Sequence, residues 1–392
     1  MHRLCDPAPR VGGASPTLRN AVFVFLVVLA CLPAYASETG WTQFRGGPLQ
    51  QGIAEDLPAD LAPAWTFEIA DGVESTAAIA ATTAGELVFV AGLDGTLYAL
   101  TLDRGSVKWK LETGEEIKSS PLVLDGSVYF GDELGRFHAV DAATGEQKWT
   151  IEVDASVTGS PNLGPDGSLV FGSYDNFLYS VSAADGKVRW KVETQGYVHG
   201  SPGVAGSEVV SSGCDGYLRV VDARTGAEVR KVELGGYVAA SPAIRDGRVY
   251  VGSFESQVLA VDLESGDTAW TYKHPQREFP FYASPAVTAD LVIVAGRDKM
   301  IHALDRETGK PRWSYTSKAR FDASPVVSGG RVFVADQAGE ILALALADGA
   351  VRWSFETGDS FTASPAVGRG RLVISTESGT VYCFAPTAEL AR

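Results

Sequence analysis

A pattern of about 40 residues recurs eight times along this chain. Its clearest copy runs from Ser120-Pro121 through Val128-Tyr129-Phe130-Gly131 and Phe137-His138-Ala139-Val140-Asp141 to Thr144-Gly145 and Trp149. The last position is held by Trp65, Trp109, Trp149, Trp190, Arg230, Trp270, Trp313 and Trp353, at intervals of 40–44 residues. The Ser-Pro pair gives an independent register at Ser120, Ser160, Ser201, Ser241, Ser284, Ser324 and Ser364, with Thr76-Ala77 as a degenerate first copy. A repeat of this period decides the architecture before any motif does, and residues that recur with it are structural first.

Each unit holds four strand-like runs, for example Pro242-Ala243-Ile244, Val249-Tyr250-Val251, Val258-Leu259-Ala260-Val261 and Ala269-Trp270-Thr271-Tyr272. β-branched and aromatic residues cut by tight turns are the signature of strands and hairpins. Four strands per unit make the blade of a β-propeller. The ends fix the ring. A lone fourth strand, Ala64-Trp65-Thr66-Phe67, precedes the first full unit, and only three strands follow Ser364-Pro365. The expected fold is all-β: one eight-bladed propeller over residues 62–386, four antiparallel strands per blade, closed by pairing the N-terminal strand with the C-terminal three. Closure removes the open edges. Residues 37–61 form a lead segment and 387–392 a tail.

Residues 21–32 are an apolar run behind a basic stretch and ahead of Ala34-Tyr35-Ala36. The run is short for a membrane span, and the pattern is that of a secretory signal peptide cut near Ala36. Val28-Leu29-Ala30-Cys31 resembles a bacterial lipobox, which makes Cys31 an alternative, lipidated N-terminus. The expected location is therefore periplasmic or secreted. The formal charge is −15, of which the first 36 residues contribute +2 (three arginines against Asp6), leaving −17 for the rest. So acidic a surface repels phosphate backbones, which argues against nucleic acid. Past residue 36 only Cys214 and Cys383 remain, in the fourth and eighth units, too far apart in a ring to form a disulfide.

Ala139-x-Asp141-x-x-Thr144-Gly145-x-x-x-Trp149 and Ala303-x-Asp305-x-x-Thr308-Gly309-Lys310-x-x-Trp313 resemble the tryptophan-docking repeat of quinoproteins. The whole set resembles the PQQ-like propeller superfamily, which includes PQQ-dependent alcohol dehydrogenases and the non-enzymatic, BamB-like branch of outer-membrane assembly. Trp41-Thr42-Gln43-Phe44-Arg45-Gly46 is similar to the opening of many secreted propellers of that superfamily. The dehydrogenase branch implies PQQ between a Trp and a vicinal Cys-Cys disulfide, with Ca²⁺ on Glu, Asn and Asp. This sequence has no adjacent cysteines and near-minimal repeat units. No metal-ligand spacing or Ser-His-Asp constellation stands out from the repeat, and His138 and His302 occupy a position that is Tyr in other units.

What remains is binding. Two residues before each Ser-Pro serine, or its Thr76 counterpart, stand Glu74, Lys118, Thr158, His199, Ala239, Tyr282, Asp322 and Thr362. That position should ring the mouth of the central channel, and its mixed chemistry has no packing logic. The longest departure from the repeat is the 272–282 loop, with His274, Arg277, Glu278, Phe279 and Phe281; Arg297 lies in a turn on the same face. Aromatics and arginine are enriched at binding hot spots. The expectation is an exported, non-catalytic scaffold that takes a protein or peptide partner on this face, with no catalytic residue, cofactor or metal. The alternative is a PQQ- and Ca²⁺-dependent dehydrogenase or another ligand-binding propeller.

Overall fold

The computed structural model describes residues 40–390, so the signal peptide and Cys31 lie outside the described residues. Eight four-stranded antiparallel sheets follow one another along the chain. Seven are built from consecutive strands. The eighth pairs Leu61–Glu68 with Thr380–Pro386, followed by Arg371–Ser375 and Ala366–Gly368. Register runs from Leu61 opposite Pro386 to Glu68 opposite Thr380, so the ring closes between the two ends of the propeller. Burial grades outward within each blade: Arg331–Ala335 is buried throughout, whereas the outermost Val351–Glu356 alternates. A short helix, Thr387–Leu390, follows the last strand. Cys214 and Cys383 are free thiols.

The recurring tryptophan joins neighbouring blades. The Trp190 indole donates from Nε1 to the Ala223 carbonyl of the next blade at 2.9 Å. Its ring lies on Gly226, where an added Cβ would sit 2.9 Å from the indole and where φ is +72°. Glycine is therefore required there both for space and for backbone conformation. Trp353 makes the same bond across the closure, to the Leu61 carbonyl at 3.0 Å. Arg230, the exception, reaches the Leu263 and Glu264 carbonyls with its guanidinium. It substitutes for the indole as a donor to the next blade and opens no groove.

The Ser-Pro serines form a second seam. Each backbone N–H in the series donates to the hydroxyl oxygen of the next blade's serine, from Thr76 to Ser120 and onward, and Ser364 returns to Thr76 Oγ1. The distances are 2.8–3.2 Å. Thr76 is thus a full member of the ring.

The lead segment has a role the sequence did not disclose. It winds across one end of the channel and touches the inner strand of every blade. Trp41 exchanges backbone bonds with Ile79. Val123, Val204, Ile244, Val287 and Val327 donate to the carbonyls of Thr42, Pro48, Leu49, Gln51 and Gly52 at 2.7–2.9 Å. Gln43 bonds Asn162, and Gly370 donates to Glu55. At the centre Arg45 is fully buried and donates to the Pro285 and Pro325 carbonyls at 2.6 and 2.7 Å. Burial pulls its pKa down to about 9, so it is still charged at neutral pH. A Cβ at Gly52 would strike this guanidinium.

Candidate functional site

With one end plugged, the channel is a blind cavity of about 290 Å³. On six of the inner strands the backbone bonds to the plug lie three residues beyond the serine or threonine hydroxyl, and in every blade the variable position lies two residues before it. The cavity therefore has a floor that includes Phe44, a ring of hydroxyls above it, and a mouth. All eight residues of the variable position line it: Glu74, Lys118, Thr158, His199, Ala239, Tyr282, Asp322 and Thr362.

A second variable ring, which the sequence reading did not isolate as a position, surrounds the first. It comprises Leu93, Glu133, Tyr174, Cys214, Phe254, Arg297, Gln337 and Glu377, each just after the second strand of its blade. Each backbone N–H bonds the carbonyl of a residue in the loop that enters its own blade, for instance Phe254 to Tyr237 at 2.9 Å and Glu133 to Glu116 at 3.0 Å. These bonds stitch the two sets of loops into one face. The signal was available, since this position also varies where its neighbours repeat.

The mouth is chemically divided. On the first two blades Lys118 lies 3.2 Å from Glu116 and 3.8 Å from Glu133. Burial opposes the Lys118 charge, but these carboxylates and Glu74 outweigh it and raise its pKa. Glu74 is raised above the usual carboxylate range, chiefly by desolvation against the channel wall. Lys118 pulls it down, while Glu377, Glu116 and Glu133 push it further up. Glu377 accepts from Gln337 at 2.8 Å, from Ser360 at 2.7 Å and from Thr362. Burial resists its ionisation, yet those bonds hold it below the usual range.

The third to sixth blades present aromatics. His199 is held between two phenols, with Tyr174 Oη 2.5 Å from Nδ1 and Tyr282 Oη 3.2 Å from Nε2. Burial, with the Lys118 charge second, lowers its pKa and keeps it neutral. Arg297 lies over the Tyr282 ring at 4.6 Å and bonds Asp322 at 2.6 Å, while Arg320 bonds the other Asp322 oxygen at 3.0 Å.

The 272–282 loop divides between surface and packing. Phe279 is exposed, Glu278 pairs with Lys273 at 3.1 Å, and Arg277 donates to the Asp298 carbonyl at 2.5 Å. His274 is half-buried, its ring 5.6 Å from that of His302. Phe281 corrects the sequence expectation. It is 2% exposed and lies against Gly252 and His302, so no partner can reach it. It fills the packing position that Phe321 and Phe361 hold in the next two blades, one residue before the variable position.

Around the mouth runs a crescent of exposed apolar side chains: Leu134 (58%), Tyr197 (50%), Tyr237 (64%), Phe254 (36%) and Phe279 (49%). Tyr197 stacks on Tyr174 at 4.7 Å, and Phe254 meets Tyr282 edge-on at 6.3 Å.

The sequence model of a family described as outer membrane protein assembly factor BamB matches residues 39–166, 135–229, 175–285 and 255–388. Among curated proteins, a polyvinylalcohol dehydrogenase from a Pseudomonas species is 29% identical over 134 residues, 31% of this chain and 20% of that protein. The BamB of Moranella endobia is 30% identical over 76 residues, 19% of this chain and 20% of that protein. The chain thus spans about a fifth of the length of these relatives. The crystal structure of BamB from Moraxella catarrhalis superposes with a TM-score of 0.70 at 20% identity, covering 83% of this chain and 97% of that one. Quinohemoprotein alcohol dehydrogenase ADHIIG from Pseudomonas putida gives 0.76 at 13% identity, covering 89% and 80%. At these identities both likenesses concern the fold alone.

Proposed function

The chain belongs to the family described as outer membrane protein assembly factor BamB, and from that premise we propose that it is an exported, non-catalytic propeller that docks a protein partner on its channel-mouth face, in the service of envelope protein assembly. The crescent from Leu134 to Phe279 carries this reading. Large apolar side chains left exposed to water are not needed to fill a core, and several of them grouped on one face suit an interaction surface. The opposite end of the channel is occupied by the plug, so the mouth is the end at which the channel is open to a partner.

The similarity to dehydrogenases favours a second reading, which the donor set weakens. PQQ is a tricarboxylate, yet the cavity offers one ammonium, Lys118, against Glu74, Glu133 and Asp322. No tryptophan or cysteine lines it. Among the described residues no group of three or more His, Cys, Asp or Glu is gathered to hold a metal, whereas Ca²⁺ takes six to eight oxygens. These residues do not fit the group.

The test compares wild type with a Tyr197→Ser, Tyr237→Ser, Phe279→Ser variant as bait on a solubilised bacterial envelope fraction, with a melt of each protein. Proteins retained by wild type and lost from an equally stable variant support docking at the crescent. Identical retention by both overturns it. So does a melting shift with PQQ and Ca²⁺ accompanied by dye-linked alcohol oxidation. A ligand at 100 times its Kd stabilises by about 2.7 kcal/mol.

A further inference from the structure

We infer that the docked partner projects a guanidinium side chain into the blind channel, so that the cavity is a specificity socket for one arginine on a protruding loop. The inference rests on the docking reading above and adds the chemistry of what is docked.

Three observations carry it. First, the cavity opens on the crescent side, because the plug and Phe44 close the other end. A side chain that enters must belong to whatever covers the crescent. Second, the lining carboxylates outnumber the lining cations, since Glu74 and Glu133 have only the Lys118 ammonium beside them. Glu74 is exposed at the mouth, and Glu133 Oε1 is buried with no hydrogen-bond partner. A buried carboxylate oxygen left in that state calls for a donor. Asp322, by contrast, is already served by Arg297 and Arg320. Third, the remaining wall suits a flat cation. Tyr174 and Tyr282 line the same cavity, and His199 between them adds no charge to repel one.

The molecule displays the arrangement once with its own residues, where Arg297 lies over Tyr282 and donates to the Asp322 carboxylate. Guanidinium combines planar stacking with several donors in a fixed fork, which an ammonium does not. The charge of −17 beyond residue 36 supplies attraction for a basic segment at longer range.

The probe is N-acetyl-arginine methylamide, titrated into the chain from residue 37 and followed by calorimetry. Its citrulline counterpart has nearly the same shape without the charge. The expected result is saturable binding at least ten-fold tighter for the arginine compound. That preference should be lost in Glu74→Gln, Glu133→Gln and retained in the crescent variant. Glu74→Gln alone serves if the double variant melts low. Equal affinities, or no saturation by either compound, overturn the inference. The envelope retention assay separates the two proposals. A partner kept by Glu74→Gln, Glu133→Gln but lost from the crescent variant refutes the socket and leaves the docking reading standing.

Discussion

Trp190 shows how much a single side chain does in this fold. Its ring fills the space over Gly226 and its N–H joins two blades. Trp190→Ala leaves a cavity at a blade seam and is expected to cost about 3–5 kcal/mol, read as a lower midpoint in denaturant unfolding. His199 offers a pH test. Its folded pKa is lowered, so the native state binds fewer protons than the unfolded chain as pH falls below the unfolded value of about 6.5. The stability it contributes is present above that pH and is lost on acidification. His274 is lowered too, and shares the sign. His199→Gln should therefore flatten, without abolishing, the fall in melting temperature between about pH 6.5 and 5. A slope equal to wild type would remove His199 from the account. At this scale the sequence was informative where residues recur. The tryptophans were readable as blade packing because a large ring at a fixed period has few other uses. The serine hydroxyls were not, since their acceptor role exists only once neighbouring blades are placed side by side. Phe281 was misread because an enlarged loop obscured the fixed interval to Ser284 that identifies it as packing.

Among the elements, the lead segment matters most to the site and was least apparent from the chain. No strand pattern marks residues 40–57, because they pair one residue at a time with strands of different blades. The blades themselves were fully predictable, since local alternation and turns determine them. What turns a pore into a socket is the plug pinned by Arg45. Arg45→Ala removes two charge-assisted bonds to buried carbonyls. It is expected to cost on the order of 3 kcal/mol, measured by chemical denaturation. Hydrogen exchange should at the same time quicken at the Val287 and Val327 amides, which bond the plug backbone. Unchanged exchange there would show that Arg45 does not hold the plug in place.

For the whole molecule the closing strand is decisive. Removing Leu61–Glu68 leaves the outer edge of the Thr380–Pro386 strand unpaired. An unpaired edge templates association between chains. Such a truncation should elute as oligomers in size-exclusion chromatography at concentrations where the intact chain does not; a monomeric elution would show that the eighth blade tolerates three strands. Ring and blade count followed from strands tallied at the two termini. The asymmetry of the mouth face, acidic on the first two blades and aromatic on the third to sixth, did not. It comes from two separate positions of the repeat brought together only where each blade's turn is stitched to the loop that enters the same blade.

The plug and the closing strand also set a timetable. The residues that leave the ribosome early, Trp41 to Glu68, find their partners on blades made throughout synthesis, and Leu61 waits for Pro386. Contacts this distant in sequence are slow to form. Until the last blade exists, Leu61–Glu68 has no strand to pair with, and the apolar residues destined for the seam stay uncovered. A chain interrupted before its final three strands has neither a sealed floor nor a closed wall. Completion of synthesis thus acts as the checkpoint on whether a usable binding face exists.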